Sequence, residues 1–238
     1  MEYKIYRVFL TLLSRGLILT VLMPLACYIR VLAAKKLGDS TGEREGRLTL
    51  DFRKHTDLFG IILIFAFGFG WSKELNIDVS RLKKMKRDVT LISLASPVTY
   101  LLMYVVMKNL AGLLWGFAPA SFIMASVYFV LVRAARASLF FGIIALLPIP
   151  PLDGFNIFYQ FSPPKFRRWY FTNYQQITVW SRYILLAVFF MDSLTGGEFS
   201  LLGLLAYLWR LLLDRLVFFV PNAAESTLKI LTELVYMA

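Results

Sequence analysis

The stretch Leu146-Leu147-Pro148-Ile149-Pro150-Pro151-Leu152-Asp153-Gly154 sets three prolines and one carboxylate into an otherwise apolar run over residues 139–161. A run of that length can cross a bilayer, and a lone acid inside it is costly unless it has a partner or a function. The prolines remove backbone donors and forbid a regular helix through Ile149. Asp153 is therefore expected beside a break where carbonyls and a side chain converge, which is how a site can be built inside a membrane.

The rest of the chain agrees with a membrane setting. Hydrophobic residues make up 58% of the 238 and the mean hydropathy is +0.65. Charged residues reach only 17%, against about a quarter in soluble domains. The net charge of +11 is not a nucleic-acid signature, because the basic residues gather in short connections between apolar runs, as cytoplasmic retention requires. Attraction to anionic lipid headgroups follows. The lone Cys27 excludes an internal disulfide, and one cysteine with one histidine excludes an all-protein Cys/His zinc cage. The first apolar stretch runs on to Lys35 and Lys36 without a small-residue cleavage site, as a retained anchor would.

In chain order, residues 3–14 place Lys4, Arg7, Thr11 and Ser14 opposite Ile5, Phe9 and Leu12, the pattern of an interfacial helix or of a first span fraying into headgroups. Residues 16–34 form the first span. The strip Gly46-Arg47-Leu48-Thr49-Leu50-Asp51 alternates as a short strand would. Residues 58–71 are apolar but short, with basic flanks on both sides, which predicts a re-entrant or interfacial segment. Residues 89–107 and 113–132 read as a helical hairpin. After the run holding Asp153, Lys165, Arg167 and Arg168 with Trp169 and Tyr170 read as an interfacial belt. Its charge favours the cytoplasm while alternation from Arg136 favours the other side, and the sequence leaves that orientation open. Residues 177–191 and 201–220 follow, with Arg210 and Asp214 spaced for a same-face ion pair, then an amphipathic tail over 223–237. The expectation is an all-α polytopic membrane protein of about six transmembrane helices with a re-entrant or short strand segment, a single domain over 1–238.

Several ordered pieces resemble the site-2 protease family, intramembrane zinc metalloproteases. Leu146 to Gly154 resembles that family's "LPIPPLDG", whose aspartate is the third metal ligand. Leu37-Gly38-Asp39, then Gly46-Arg47-Leu48-Thr49-Leu50 with His55 and Asp57, resembles its "LGD…GRLTLNPxxHIDPxG". Gly68-Phe69-Gly70-Trp71-Ser72-Lys73 resembles "GFGWAKP", and Ala95-Ser96-Pro97 resembles "AGP". The resemblance implies a site-2 protease-like core over 16–162 followed by C-terminal helices over 163–238, in a bacterial cytoplasmic membrane. It also implies contact with a substrate helix around Gly68, Phe69, Gly70, Trp71 and Lys73.

The family's His-Glu-x-x-His helix is missing. Counted back by the family's spacing, its positions fall on Ala26, Cys27, Tyr28, Ile29 and Arg30, so both imidazoles and the general base are replaced. Asp153 alone cannot hold a catalytic zinc, and no glutamate takes a proton from an attacking water. Ala145 and Glu74 depart from the family pattern too. The expectation is therefore a pseudoprotease without catalytic residues or cofactor, whose partners are membrane lipids and a transmembrane helix of another protein. In that reading Arg30 replaces the metal as counter-charge to Asp153; alternatively it snorkels toward headgroups beside Lys35 and Lys36. His55 reads as a hydrogen-bonding loop residue or a metal ligand, and Cys27 as a buried thiol or a nucleophile. An active metallopeptidase would have to draw zinc ligands from Asp153, Asp57, Asp39 and His55, an oxygen-rich set that suits magnesium or calcium better. A transport or channel subunit is a third reading, from the intramembrane charges Asp153, Arg210 and Asp214.

Overall fold

A computed structural model describes residues 2–56, 58–68, 70, 72–117, 122–194 and 201–218. Asp57, Phe69, Trp71 and the expected tail over 223–237 lie outside the described residues.

The first two helices, α1 (Glu2–Leu17) and α2 (Met23–Leu37), are joined by a π turn over Ile18–Leu22. Of the two readings of the N-terminal residues, the structure gives the extended first helix and not a separate interfacial one: no residue near Gly16 caps or breaks the helix, and Leu17 and Leu22 keep helical backbone angles. Pro24, in the first turn of α2, lacks the N–H that a regular helix would use and crowds the carbonyl four residues back. The wider turn ahead of it accommodates that ring. Gly38, at φ +114°, ends α2 as a left-handed cap after Lys35 and Lys36.

Two short helices follow, α3 (Thr41–Arg44) and α4 (Phe52–His55), the second capped by Asp51, whose carboxylate accepts from the Arg53 N–H. The strand expected over 46–51 is absent: Gly46 turns the chain at φ +68° and no strand occurs among the described residues to pair with it. Alternation alone does not make a strand without a partner ladder. Helix α5 (Leu58–Phe67) has ten residues, about 15 Å, too short to cross a bilayer. It closes on Gly68 at φ +83°.

Helices α6 (Met85–Phe117) and α7 (Phe122–Ala145) form the long hairpin and run further than the hydropathy boundaries suggested. Pro97 lies inside α6. Ser138 donates to the Tyr100 carbonyl, and Gly142 allows close approach, since a Cβ there would sit 3.0 Å from Leu101 Cδ2. The apolar run over 139–161 is broken at 146–152, beyond which α8 (Asp153–Phe161) packs on α6. Then come α9 (Pro164–Thr172), α10 (Tyr174–Leu194) and α11 (Leu201–Leu213).

Among the described residues three helical stretches are long and apolar enough to cross a membrane: Lys4–Leu37, Met85–Phe117 and Phe122–Ala145. They share one core in which Leu22, Met23, Ile64, Tyr104, Leu139 and Ala206 are buried together. Asp214 ties the end of α11 to α6, accepting from Lys108 Nζ at 2.8 Å and from the Tyr104 hydroxyl. The expected Arg210–Asp214 pair is the looser one at 3.8 Å.

Candidate functional site

The break after α7 turns Asp153 toward α2. Leu152 is extended and Asp153 begins α8. Gly154 makes the turn possible, since a Cβ there would lie 2.0 Å from the Leu146 carbonyl oxygen. No side chain fits that approach.

Facing it, α2 presents Arg30, which lies three residues after Cys27 and four after Ala26 and so neighbours both on the helix surface. Arg30 Nη2 lies 2.7 Å from Asp153 Oδ1, with the two side chains only 11% and 8% exposed. The pair is close but poorly aligned, because Arg30 Nε and Asp153 Oδ1 have no hydrogen-bond partner. Arg30 does not extend to the headgroups beside Lys35 and Lys36. Ala26 is fully buried and its carbonyl lies 3.5 Å from the Ser96 hydroxyl. Cys27 is a buried free thiol with Ser72 in hydrogen-bond reach.

Arg30, Asp153, Ser72 and Ser96 border a cavity of about 690 Å³ that reaches from Met23 and Tyr100 to Val179, Arg182 and Leu186 of α10. Gly70, Ser72, Lys73 and Glu74 form one wall. That wall is held from behind. Arg47, buried, donates from Nη1 to the Glu74 carbonyl at 2.6 Å and from Nη2 to the Lys73 carbonyl at 2.7 Å. The Lys73 N–H donates to the His55 carbonyl at 2.7 Å. At the rim, Glu74 pairs with Arg182 at 2.8 Å, joining the wall to α10. Of the residues expected to meet a partner helix, Gly70 and Lys73 line the cavity, while Gly68 caps α5 beside the Arg15 guanidinium. Phe69 and Trp71 lie outside the described residues.

His55 is fully buried away from the pair, its Nε2 2.7 Å from the Thr49 carbonyl. Burial pushes its pKa below the usual imidazole value, so it is neutral and donates this bond. Asp39, buried, closes a loop: it accepts from the Thr41 N–H and hydroxyl and from the Asp78 N–H. His55 and Asp39, two of the candidate ligands of an atypical metal site, are thus spent on separate bonds of their own loops, while Asp153 faces Arg30 and Asp57 lies outside the described residues. Among the described residues no group of three or more His, Cys, Asp or Glu gathers to hold a metal ion.

Zinc needs three or four anionic or imidazole donors converging at about 2.0–2.3 Å. Here Ala26 offers a methyl group, Arg30 offers a cation, and that cation already faces the site's carboxylate. The described residues at this position do not fit zinc.

Sequence reasoning missed Arg47 and Arg182. Arg47 is one more basic residue in a basic loop, and nothing in its neighbours announces the two carbonyls it holds 26 and 27 residues away.

No family model matches the chain, and no solved structure matches it. It is similar to the protein named "Putative zinc metalloprotease YwhC" of Bacillus subtilis (strain 168), with 35% identity over 137 residues. The matched region is 56% of this chain and 62% of that protein, so the chain spans about three-fifths of the length of that curated relative. The apolar spanning helices and this similarity together support a membrane protein related to metalloproteases.

Proposed function

We propose that this chain is a non-hydrolytic member of the site-2 protease family that binds a segment of another membrane protein in the cavity beside Arg30 and Asp153. The observation that carries the reading is the ion pair itself. A guanidinium faces Asp153 from the helix face where the family's metal ligands would stand, and it supplies the counter-charge without supplying a Lewis acid or an activated water. The wall of Gly70, Ser72, Lys73 and Glu74 keeps a cavity between itself and α10, which supports a retained binding role. Leu185, Leu186 and Val179 offer apolar contact and the Glu74–Arg182 pair offers a polar rim, the mix that a helix end entering from the bilayer requires.

A photo-crosslinking residue placed at Leu186 in the cavity, and at the exposed Leu102 as control, tests this in native membranes. The reading expects adducts to a full-length membrane protein at Leu186 and not at Leu102. Adducts to shortened fragments, cut within the crosslinked segment, would instead support the metalloprotease activity in the relative's printed name.

A further inference from the structure

Two rings of charge divide the long helices. The first is formed by Lys35 and Lys36 at the end of α2 and by Lys84, Lys86 and Arg87 at the start of α6. The second follows from the helix register. Tyr100 lies opposite Ser138 and Phe141, and Trp115 opposite Tyr128, so Arg133 and Arg136 of α7 stand level with Tyr104 to Lys108 of α6. Tyr6 of α1 bonds Ser126 and stacks on Phe122, and with α1 parallel to α7 this puts Arg15 at the same height. From Arg87 to Lys108 the helix rises about 31 Å, close to the roughly 30 Å thickness of a bilayer's hydrocarbon core. Arg15 to Lys35 along α1 and α2 gives about the same length. The second ring thus lies at a headgroup level.

Its two sides differ in balance. On the α6/α11 side, Lys108 and Arg210 share Asp214. On the α1/α7 side no carboxylate among the described residues pairs with Arg15, Arg133 or Arg136. The charges that act on the half-buried Arg133 guanidinium are Arg7, Arg15 and Arg136, all of its own sign. Arg133 packs over the Phe129 ring at 5.3 Å, and Arg15 donates to the Phe65 and Ala66 carbonyls at the end of α5. These contacts orient the two guanidinium groups and leave their charge uncompensated. Like charges held together beside low-dielectric surroundings repel strongly.

We propose that Arg15, Arg133 and Arg136, with Arg7 at the edge, form a binding site for the phosphate of an anionic phospholipid seated on the α1/α7 face. A guanidinium fork recognises phosphate oxygens in two-point fashion. The depth of the ring selects a lipid phosphate over a free anion, because the acyl chains then run from Arg15 toward Lys35, past the half-buried Leu17 and along the exposed Val21.

Native mass spectrometry of the full chain in mild detergent tests this, titrating dioleoylphosphatidylglycerol against dioleoylphosphatidylcholine. Wild type is expected to prefer the anionic lipid, and Arg133→Gln and Arg136→Gln each to lower that preference about fivefold. A Lys165→Gln/Arg168→Gln control in the interfacial belt of α9, where no such cluster is held, should lower it less than either single variant. Arg136 is exposed, so its variant decides the matter if Arg133→Gln does not fold. An unchanged preference in Arg136→Gln overturns the site. Thermal stabilisation by inorganic phosphate equal to that by phosphatidylglycerol would overturn the lipid assignment, leaving a site for free anions.

Discussion

Removing one partner of the Arg30–Asp153 pair is the perturbation with the largest calculable effect at the site. At 2.7 Å and an effective dielectric of about 20, the gross attraction is about 6 kcal/mol. Desolvation offsets part of this, and deleting one partner of a buried pair destabilises by about 3–5 kcal/mol because the other charge stays behind. The unpartnered Arg30 Nε and Asp153 Oδ1 show imperfect geometry, so the lower end, about 3 kcal/mol, applies. For a chain of this size that is a fall in Tm of at least about 6 °C. The assay is thermal denaturation in mild detergent of Arg30→Met, Asp153→Leu and the double variant. Each single variant should melt lower, and the double variant should recover most of the loss, because an apolar replacement of both charges leaves none uncompensated. Singles that melt with wild type, or a double variant whose loss is the sum of the two singles, would refute the ion-pair argument.

Other consequences are equally open to measurement. His55 has its folded pKa held below the usual value by burial, so it contributes stability present above about pH 6.5 and lost as the pH falls below it; the Tm should drop between pH 7 and pH 5, and His55→Gln should flatten that slope. Arg47→Lys keeps the charge but loses the two-carbonyl grip on Lys73 and Glu74, costing about 1.5–3 kcal/mol; hydrogen exchange should accelerate over residues 72–78 while α6 stays protected. Gly154→Ala drives a Cβ into the Leu146 carbonyl and should destabilise by more than about 4 kcal/mol, whereas Gly16→Ala, with nothing within 4 Å of the new methyl, should melt at or above wild type. Asp214→Asn weakens the Lys108 tie between α11 and α6 and should lower the Tm by about 2–6 °C.

Much of the site was legible because it is written in local terms. Three prolines and Asp153 in an apolar run announce a broken helix with a charge at the break, and Ala26, Cys27 and Arg30 share a helix face by spacing alone. The fold was less legible where the deciding contact is remote. Arg210 looked like the partner of Asp214 four residues on, yet Lys108, more than a hundred residues away, holds it more closely. The strip over 46–51 has a strand's alternation but no neighbour to complete a ladder. Hydropathy left residues 3–14 readable as an interfacial helix or as the start of an extended first span, and the backbone, which absorbs Pro24 in a π turn and runs on, takes the second form. Glu74 stood out as a departure from the family pattern, but its role at the cavity rim depends on Arg182, which no sequence spacing relates to it.

The central claim is that a guanidinium holds the place where the related proteases would hold a metal. The direct test is zinc content per chain, by plasma mass spectrometry, after purification in mild detergent with zinc present, for wild type and Asp153→Ala. The account predicts no stoichiometric zinc in either protein. One zinc per chain in wild type, lost in Asp153→Ala, would contradict it and return the cavity to metal chemistry.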